Sequence, residues 1–325
     1  MTADDEAATV AIRFLDDIRS IQRFGGGHIN DTFLVDAPSG EYVLQQLNTR
    51  VFHDPDAVMR NVGLVTTHLN GRLVPDLVHT EGAWRMWRRV RGAAPVLEAT
   101  PAQAASAGEL LGRFHTLVAD LDPAALTETL PSFHDPARRL AALQHARTAD
   151  IRERAASVRD EIETLFAAAP LAEHAAVLTR AVPQRVAHYD AKLDNVLFRG
   201  DEAVALVDLD TVMPGAWFWD VGDLLRTAAA TAPEDDPERS TVDAEIHQAT
   251  LIAYRRAASD VLDPAEADAL EDAGAIVTFE QAVRFLTDWL EGDVYYRTTR
   301  PDQNLDRARA QLRLLAAMPT TVRWS

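Results

Sequence analysis

The strongest constraint on this fold is a single β-type island set in an otherwise helical stretch. Residues 185–212 hold two apolar runs split by the turn Arg199-Gly200-Asp201-Glu202, the pattern of a hairpin. Around it, residues 100–121, 148–168, 243–261, 264–272, 279–290 and 304–318 are each expected to be helical. Before residue 92 the pattern reverses. Residues 21–24, 32–36, 42–47, 73–79 and 84–90 are short β-type runs, punctuated by Gly25-Gly26-Gly27 and Ala37-Pro38-Ser39-Gly40. One helix interrupts them: Asp54 is a natural cap, Pro55 suits the first helical position, and Val58, Val62, Val65 and Leu69 share a face. The return of Phe52-His53-Asp54-Pro55 as Phe133-His134-Asp135-Pro136, with unlike flanks, reads as two similar helix starts rather than a repeat. The distribution predicts an α+β chain in two lobes. Residues 1–92 form a small antiparallel β-sheet lobe and 93–325 a large, mostly helical one, with Arg91-Gly92-Ala93-Ala94-Pro95 as the hinge.

Composition removes several function classes. A chain of 325 residues buries a sizeable core without a disulfide or metal staple. The absence of cysteine excludes disulfides, thiolate nucleophiles and cysteine-based zinc sites. The ten histidines are scattered, with no H-E-x-x-H and no close pair, which argues against a histidine-bound metal. The net charge of −18 argues against a nucleic-acid partner, which needs a basic stripe. No apolar run approaches the roughly 20 residues of a membrane span, and the acidic start Met1-Thr2-Ala3-Asp4-Asp5-Glu6 is unlike a secretion signal. The expectation is a cytoplasmic protein, monomeric or weakly dimeric, without a membrane partner.

Of the 32 basic residues only Lys192 is a lysine. Arginine and lysine substitute for one another on a solvated surface, but not where a compact point charge must meet a phosphate. Lys192 lies in His188-Tyr189-Asp190-Ala191-Lys192-Leu193-Asp194-Asn195, and Asp208 follows the apolar run 204–207. The order H-x-D-x-K-x-x-N, with a second aspartate after a strand, fits phosphoryl transfer from a nucleotide. Asp190 would orient the attacking hydroxyl and take its proton, and Lys192 would meet the γ-phosphate. Asn195 and Asp208 would hold Mg²⁺, which takes few protein oxygens. The competing reading, a solvated turn capped by Asp and Asn, explains single residues but not the ordered set.

These residues resemble the catalytic and metal loops of the aminoglycoside phosphotransferase and choline kinase superfamily, which has a protein-kinase-like fold. Gly26-Gly27-His28-Ile29-Asn30-Asp31-Thr32-Phe33, Leu44-Gln45-Gln46-Leu47-Asn48-Thr49 and Asp208-Leu209-Asp210-Thr211-Val212-Met213-Pro214-Gly215 resemble its N-acetylhexosamine 1-kinase branch. So do Asp220-Val221-Gly222-Asp223 with Arg226, Arg284-Phe285-Leu286-Thr287-Asp288, Gly292-Asp293-Val294-Tyr295-Tyr296 and residues 304–309. The resemblance implies an ATP- and Mg²⁺-dependent kinase with a small sugar substrate, phosphorylated at its anomeric hydroxyl. It implies a phosphate loop at Gly26, Gly27, His28, Asn30 and Thr32, and sugar contacts from Arg284 and Tyr295. An antibiotic or choline-like acceptor is the alternative within the superfamily.

The pattern departs from that family at one place. Kinases of this fold carry a lysine on the third strand, paired with a glutamate on the next helix. Here the strand reads Tyr42-Val43-Leu44-Gln45-Gln46, and alternation gives the position to Gln45. Helix 54–69 has no glutamate. A pseudokinase would explain the double loss; an active enzyme requires Gln45, Arg60 or the loop backbone to steady the phosphates. Adenine is expected against residues 86–90, with Trp84 and Trp87 in the core. Asp210 is placed either to bind a sugar hydroxyl or to brace the metal loop. Arg284 and Asp288 share a helical face as an i, i+4 pair, and Trp289, Tyr295 and Tyr296 suit either a pyranose face or the core. Asp220 and Asp223 read as supports at a helix start, and His188 and His115 as structural.

Overall fold

Alternation along the early strands sets the architecture of the small lobe. The computed structural model describes residues 3–25 and 30–324. Helix α1 (Ala3–Phe14) precedes β1 (Ser20–Arg23), β2 (Asp31–Ala37) and β3 (Gly40–Gln46); α2 (Pro55–Leu69) then leads to β4 (Leu77–Glu81) and β5 (Trp84–Arg88). The strands form one antiparallel sheet in the order β1-β2-β3-β5-β4. Phe33, Val35, Tyr42, Leu44, Trp84 and Met86 point to its outer face, where Ala7, Val10 and Ala11 of α1 cover them. The inner face carries Thr32, Val43, Gln45 and Trp87 toward the rest of the molecule. The sequence reading contains no counterpart of α1. Its buried stripe, Ala7, Val10 and Ala11, is mostly alanine and packs on the sheet it covers.

The large lobe contains α3 (Pro101–Val118), α4 (Pro136–Ala149), α5 (Arg159–Ala167) and α6 (Pro170–Ala181), then the island β6 (Arg185–Ala187), β7 (Val196–Arg199), β8 (Glu202–Leu206) and β9 (Met213–Gly215). Helices α7 (Trp217–Ala228), α8 (Ala244–Ala258), α9 (Pro264–Glu291) and α10 (Gln303–Ala317) complete it. Strands β7 and β8 form the expected hairpin, whereas β6 pairs with β9 beyond it. A small antiparallel sheet beside a larger helical region is the α+β architecture the sequence predicts.

Two helix boundaries differ from expectation. The helix predicted over residues 148–168 is two elements, because Asp150 ends α4 in the left-handed conformation (φ 39°) and a short 3₁₀ turn precedes α5. The helices predicted over 264–272 and 279–290 are one. The stretch between them is buried on every side, so it lacks the amphipathic stripe that marks a surface helix. Here α7 crosses closely: a Cβ at Gly222 would collide with the Ala273 carbonyl.

Candidate active site

The chain leaving β6 is pinned from below before it reaches the cleft. Asp220, fully buried on α7, accepts the amides of His188 (2.7 Å) and Tyr189 (2.6 Å) and His115 Nε2–H (2.9 Å). His115 meets the Tyr254 hydroxyl through its other nitrogen (2.8 Å), and its ring stacks on Trp217 at 4.5 Å. Burial tends to raise the Asp220 carboxyl, but His115 and the accepted amides hold it below the ordinary carboxylate range. His188 is buried, which lowers its pKa and favours the neutral ring; Nε2 donates to the Val207 carbonyl (3.1 Å). Both histidines are structural, and Asp220 does more than complement a helix dipole. Tyr189, at φ 65°, turns the chain sharply. Its ring fills the space a Cβ at Gly215 would need.

That turn presents Asp190. Lys192 Nζ lies 2.9 and 3.2 Å from its two carboxylate oxygens, and Asn195 Nδ2 donates to Oδ2 at 2.9 Å. Burial tends to raise Asp190, but Lys192 and the Asn195 amide hold it below the ordinary range, so it is an ionised acceptor at neutral pH. Burial opposes the charge of Lys192, yet Asp190 and Asp208 raise its pKa.

Asp208 stands across the cleft floor at φ 65°, and the Val207 amide donates to the Asn195 carbonyl at 2.9 Å. Burial, then the Asp210 and Asp190 carboxylates, push Asp208 up to about 7. Asn195 and Asp208 both line the cleft. With the Asn195 amide nitrogen committed to Asp190, its carbonyl oxygen and the Asp208 carboxylate form a hard-oxygen pair. That donor set fits a magnesium ion that keeps phosphate and water ligands. Among the described residues no three His, Asp or Glu side chains gather as a metal cluster.

The cleft has a volume of about 430 Å³ and runs between the sheet and the island. Thr32, Val43, Gln45 and Trp87 form its roof, Arg88 to Val90 and Ala93 to Pro95 its hinge side, and Asn195, Leu197, Val207 and Asp208 its floor. Gly26, Gly27 and His28 lie outside the described residues. Met86 faces the opposite core, so of the residues expected near adenine only 87–90 line the cleft; Trp87 is both buried and part of the wall. Arg60 is exposed on α2 and does not line the cleft.

Two predicted contacts are used elsewhere. Asn30 Nδ2 donates to Asp210 (2.6 Å), and its Oδ1 accepts the Asn48 amide (3.0 Å), so its side chain ties the phosphate-loop end to the metal loop. Asp210 is 3 % exposed and pairs with the buried Arg85 as well as with Asn30. Of the two roles open to Asp210, its burial and its pairing with Arg85 and Asn30 favour the brace over a sugar contact. Gln45 Oε1 accepts Arg85 Nε and Trp87 Nε1, both at 3.0 Å, and its amide lies 3.4 Å from Thr32 Oγ1. The sequence reading missed Arg85, whose signal was a lone cation inside the apolar strand Trp84-Arg85-Met86-Trp87. It also missed Asn61, an amide inside the apolar stripe of α2. Asn61 donates to the Thr127 and Val212 carbonyls (2.7 and 2.9 Å) and accepts the Thr127 amide (2.9 Å).

A second constellation lies on the helical side. Arg284 sits among the rings of Phe133, Tyr295 and Tyr296, at 5.1, 5.8 and 5.5 Å. Its side chain bonds Gln281 (2.9 Å), not Asp288, so the expected i, i+4 pair is absent. Asp288 instead accepts the amides of Val294, Tyr295 and Tyr296 at 2.7–2.9 Å and thereby sets the turn that brings Tyr295 to Arg284. Burial opposes the Arg284 charge, but the tyrosines, Glu280 and Asp190 raise its pKa. The Tyr296 hydroxyl is buried with no hydrogen-bond partner among the described residues, and burial raises its pKa. Nearby, Glu280 is taken up by His134 (2.6 Å) and the Asp135 amide (2.9 Å). Trp289 is core, under Arg154 at 4.7 Å.

Residues 20–259 match the family described as "Phosphotransferase enzyme family". Among solved structures, choline kinase LicA from Streptococcus pneumoniae is 14% identical with a TM-score of 0.62, covering 97% of this chain and 99% of that one. Aminoglycoside phosphotransferase APH(2'')-Ib, bound to ADP, is 14% identical with a TM-score of 0.61 over 98% and 100%. An ethanolamine kinase from Plasmodium vivax is 12% identical with a TM-score of 0.59 over 94% and 85%. At these identities the likeness is one of fold. No described helix is long and apolar enough to cross a membrane.

Proposed function

This chain belongs to the phosphotransferase enzyme family, and from that membership we propose that it transfers the γ-phosphate of ATP to the anomeric hydroxyl of an N-acetylhexosamine. The bond formed joins the sugar oxygen to the γ-phosphorus; the bond broken joins that phosphorus to the β–γ bridging oxygen. The hydroxyl proton passes to Asp190, an ionised carboxylate whose direction is fixed by Lys192 and Asn195. Lys192, held beside Asp190, supplies the cation toward the transferring group. Asn195 and Asp208 would hold Mg²⁺, which supplies charge neutralisation on the phosphates.

The observation that carries the acceptor class is the cation inside the aromatic cage. Choline and aminoglycosides are cationic, and aromatic cages bind such groups when the cage itself is empty of charge. Here Arg284 occupies that position, and the neighbouring Glu280 is already engaged by His134 and the Asp135 amide. A neutral acceptor is favoured. The ring faces suit the apolar side of a pyranose, while Arg284 offers bonds to its hydroxyls or acetamide.

A panel of N-acetylglucosamine, N-acetylgalactosamine, glucosamine, choline and kanamycin with ATP and Mg²⁺ tests this reading. Turnover is expected for an N-acetylhexosamine; turnover confined to choline or kanamycin overturns the acceptor assignment. Asp190→Asn is expected to abolish turnover while keeping Mg-nucleotide affinity within about threefold. A protein that binds nucleotide yet phosphorylates nothing in the panel contradicts the enzyme reading.

A further inference from the structure

The third strand lacks the lysine its fold calls for, yet a buried cation, Arg85, lies behind the cleft-lining Gln45 and bonds its side chain. In the sheet register Gln45 faces Thr32 on one side and Arg85 on the other, so all three side chains emerge on the inner face. Arg85 is fully buried. A buried guanidinium is tolerated only with partners, and here they are specific. Nε donates to the Gln45 carbonyl oxygen (3.0 Å), the head group pairs with Asp210, and the Trp87 ring lies 5.4 Å away. Nη1 and Nη2 make no hydrogen bond among the described residues, so Nη2 meets Asp210 Oδ1 as an ion pair alone.

We propose that Arg85, reaching across from β5, is the positioning cation of this site in place of a third-strand lysine. It orients Gln45 at the cleft wall, and through Asp210 it fixes the loop that presents Asp208. The two missing residues of the usual ion pair are then replaced by a pair drawn from different elements. The lysine's charge moves one strand over, and the glutamate's role moves from the helix to the metal loop. Asn61 explains why α2 needs no glutamate: three hydrogen bonds already fasten that helix to the large lobe. The inference rests on the nucleotide-binding half of the proposed function and is independent of the acceptor.

The test separates relocation from decay, using Gln45→Lys, Arg85→Gln and the exchange Gln45→Lys/Arg85→Gln in the full chain. Binding of Mg-ADP is measured by calorimetry, with melting temperature as a fold control. In a site that has merely lost its lysine, Gln45→Lys leaves or improves nucleotide affinity. If Arg85 holds the post, Gln45→Lys sets two cations against each other and removes the acceptor of Arg85 Nε. Affinity then falls at least tenfold. Arg85→Gln is expected to lose at least tenfold as well, and the exchange to recover most of the loss, which a merely structural role would not produce. Gln45→Lys binding as tightly as the wild type, or Arg85→Gln within twofold of it, overturns the proposal. Should Arg85→Gln fail to fold, Gln45→Lys decides alone, because Gln45 is half-buried at the cleft wall. Wild-type protein that does not bind Mg-ADP overturns this inference and the kinase reading together; failure of the acceptor panel touches only the latter.

Discussion

Replacing Asp220 with asparagine changes one heavy atom, yet it removes one particular hydrogen bond. Oδ2 of Asp220 serves both the His188 amide and His115, whereas Oδ1 serves only the Tyr189 amide. The asparagine therefore keeps its oxygen on the side with two donors and turns its NH₂ toward Tyr189. A buried amide is left facing another donor. An orphaned buried donor costs about 1–3 kcal/mol, and bonds to a charged acceptor contribute about 1.5–3 kcal/mol, so a loss of about 3 kcal/mol is expected. At about 2 °C per kcal/mol for a chain above 150 residues, the melting temperature should fall by about 6 °C. Tyr189 holds a left-handed conformation immediately before Asp190, so its release lets the carboxylate drift. A misplacement of about 1 Å costs about 10²-fold in kcat, while the nucleotide KM, set at the opposite wall of the cleft, should change less than about threefold. The folded-state pKa of Asp220 is depressed, so its contribution is present above the ordinary carboxylate range and is lost on acidification. The stability gap between wild type and Asp220→Asn should be constant from about pH 8 to 5 and narrow below about pH 4. Steady-state kinetics and thermal melts decide the matter. A variant with kcat within twofold of wild type would show that the pin under the catalytic loop does not position it.

Three further outcomes follow from the same geometry. Asn61→Leu keeps the volume of α2's inner face but leaves the Thr127 amide and two carbonyls unpaired; urea unfolding should show a loss of about 2–4 kcal/mol with an unchanged m-value. Asp208, pushed up to about 7, holds a proton that magnesium must displace. Mg-ADP affinity should therefore rise up to about tenfold per pH unit below 7 and level off above it, and a flat calorimetric profile between pH 5 and 8 would contradict the assignment. In metal-free protein the raised pKa contributes stability below the unfolded value that is lost as pH rises through 7, so Asp208→Asn should gain on wild type from pH 5 to 8.

The ordered residues of the island, the lone lysine and the reversal from strand to helix near residue 92 were legible because they are local. Spacing of two puts Val43 and Gln45 on one face, and a capped proline starts α2, wherever the rest of the chain lies. The fold class could be read from such patterns; of the four residues singled out, the structure joins Asp190 to Lys192 and Asn195 by hydrogen bonds and sets Asn195 and Asp208 on the cleft floor. Periodicity failed where burial was complete, as along the middle of α9, because an amphipathic stripe marks a surface and that stretch presents none.

What the sequence by itself determined is therefore the chemistry available and the order in which the chain offers it. Which partner each charged group takes is another matter, because ion pairs and buried amides join residues far apart in the chain. Arg85 meets Asp210 over 125 positions, Asn61 meets Val212 over 151, and His115 meets Asp220 over 105. No spacing rule spans such distances, since the pairing is fixed by sheet register and lobe packing. Gln45 read alone is a missing lysine; Gln45 read beside Arg85 is the acceptor of a cation that arrives from the next strand. Only the tertiary structure makes that exchange visible, because burying a guanidinium obliges the fold to bring its partners together.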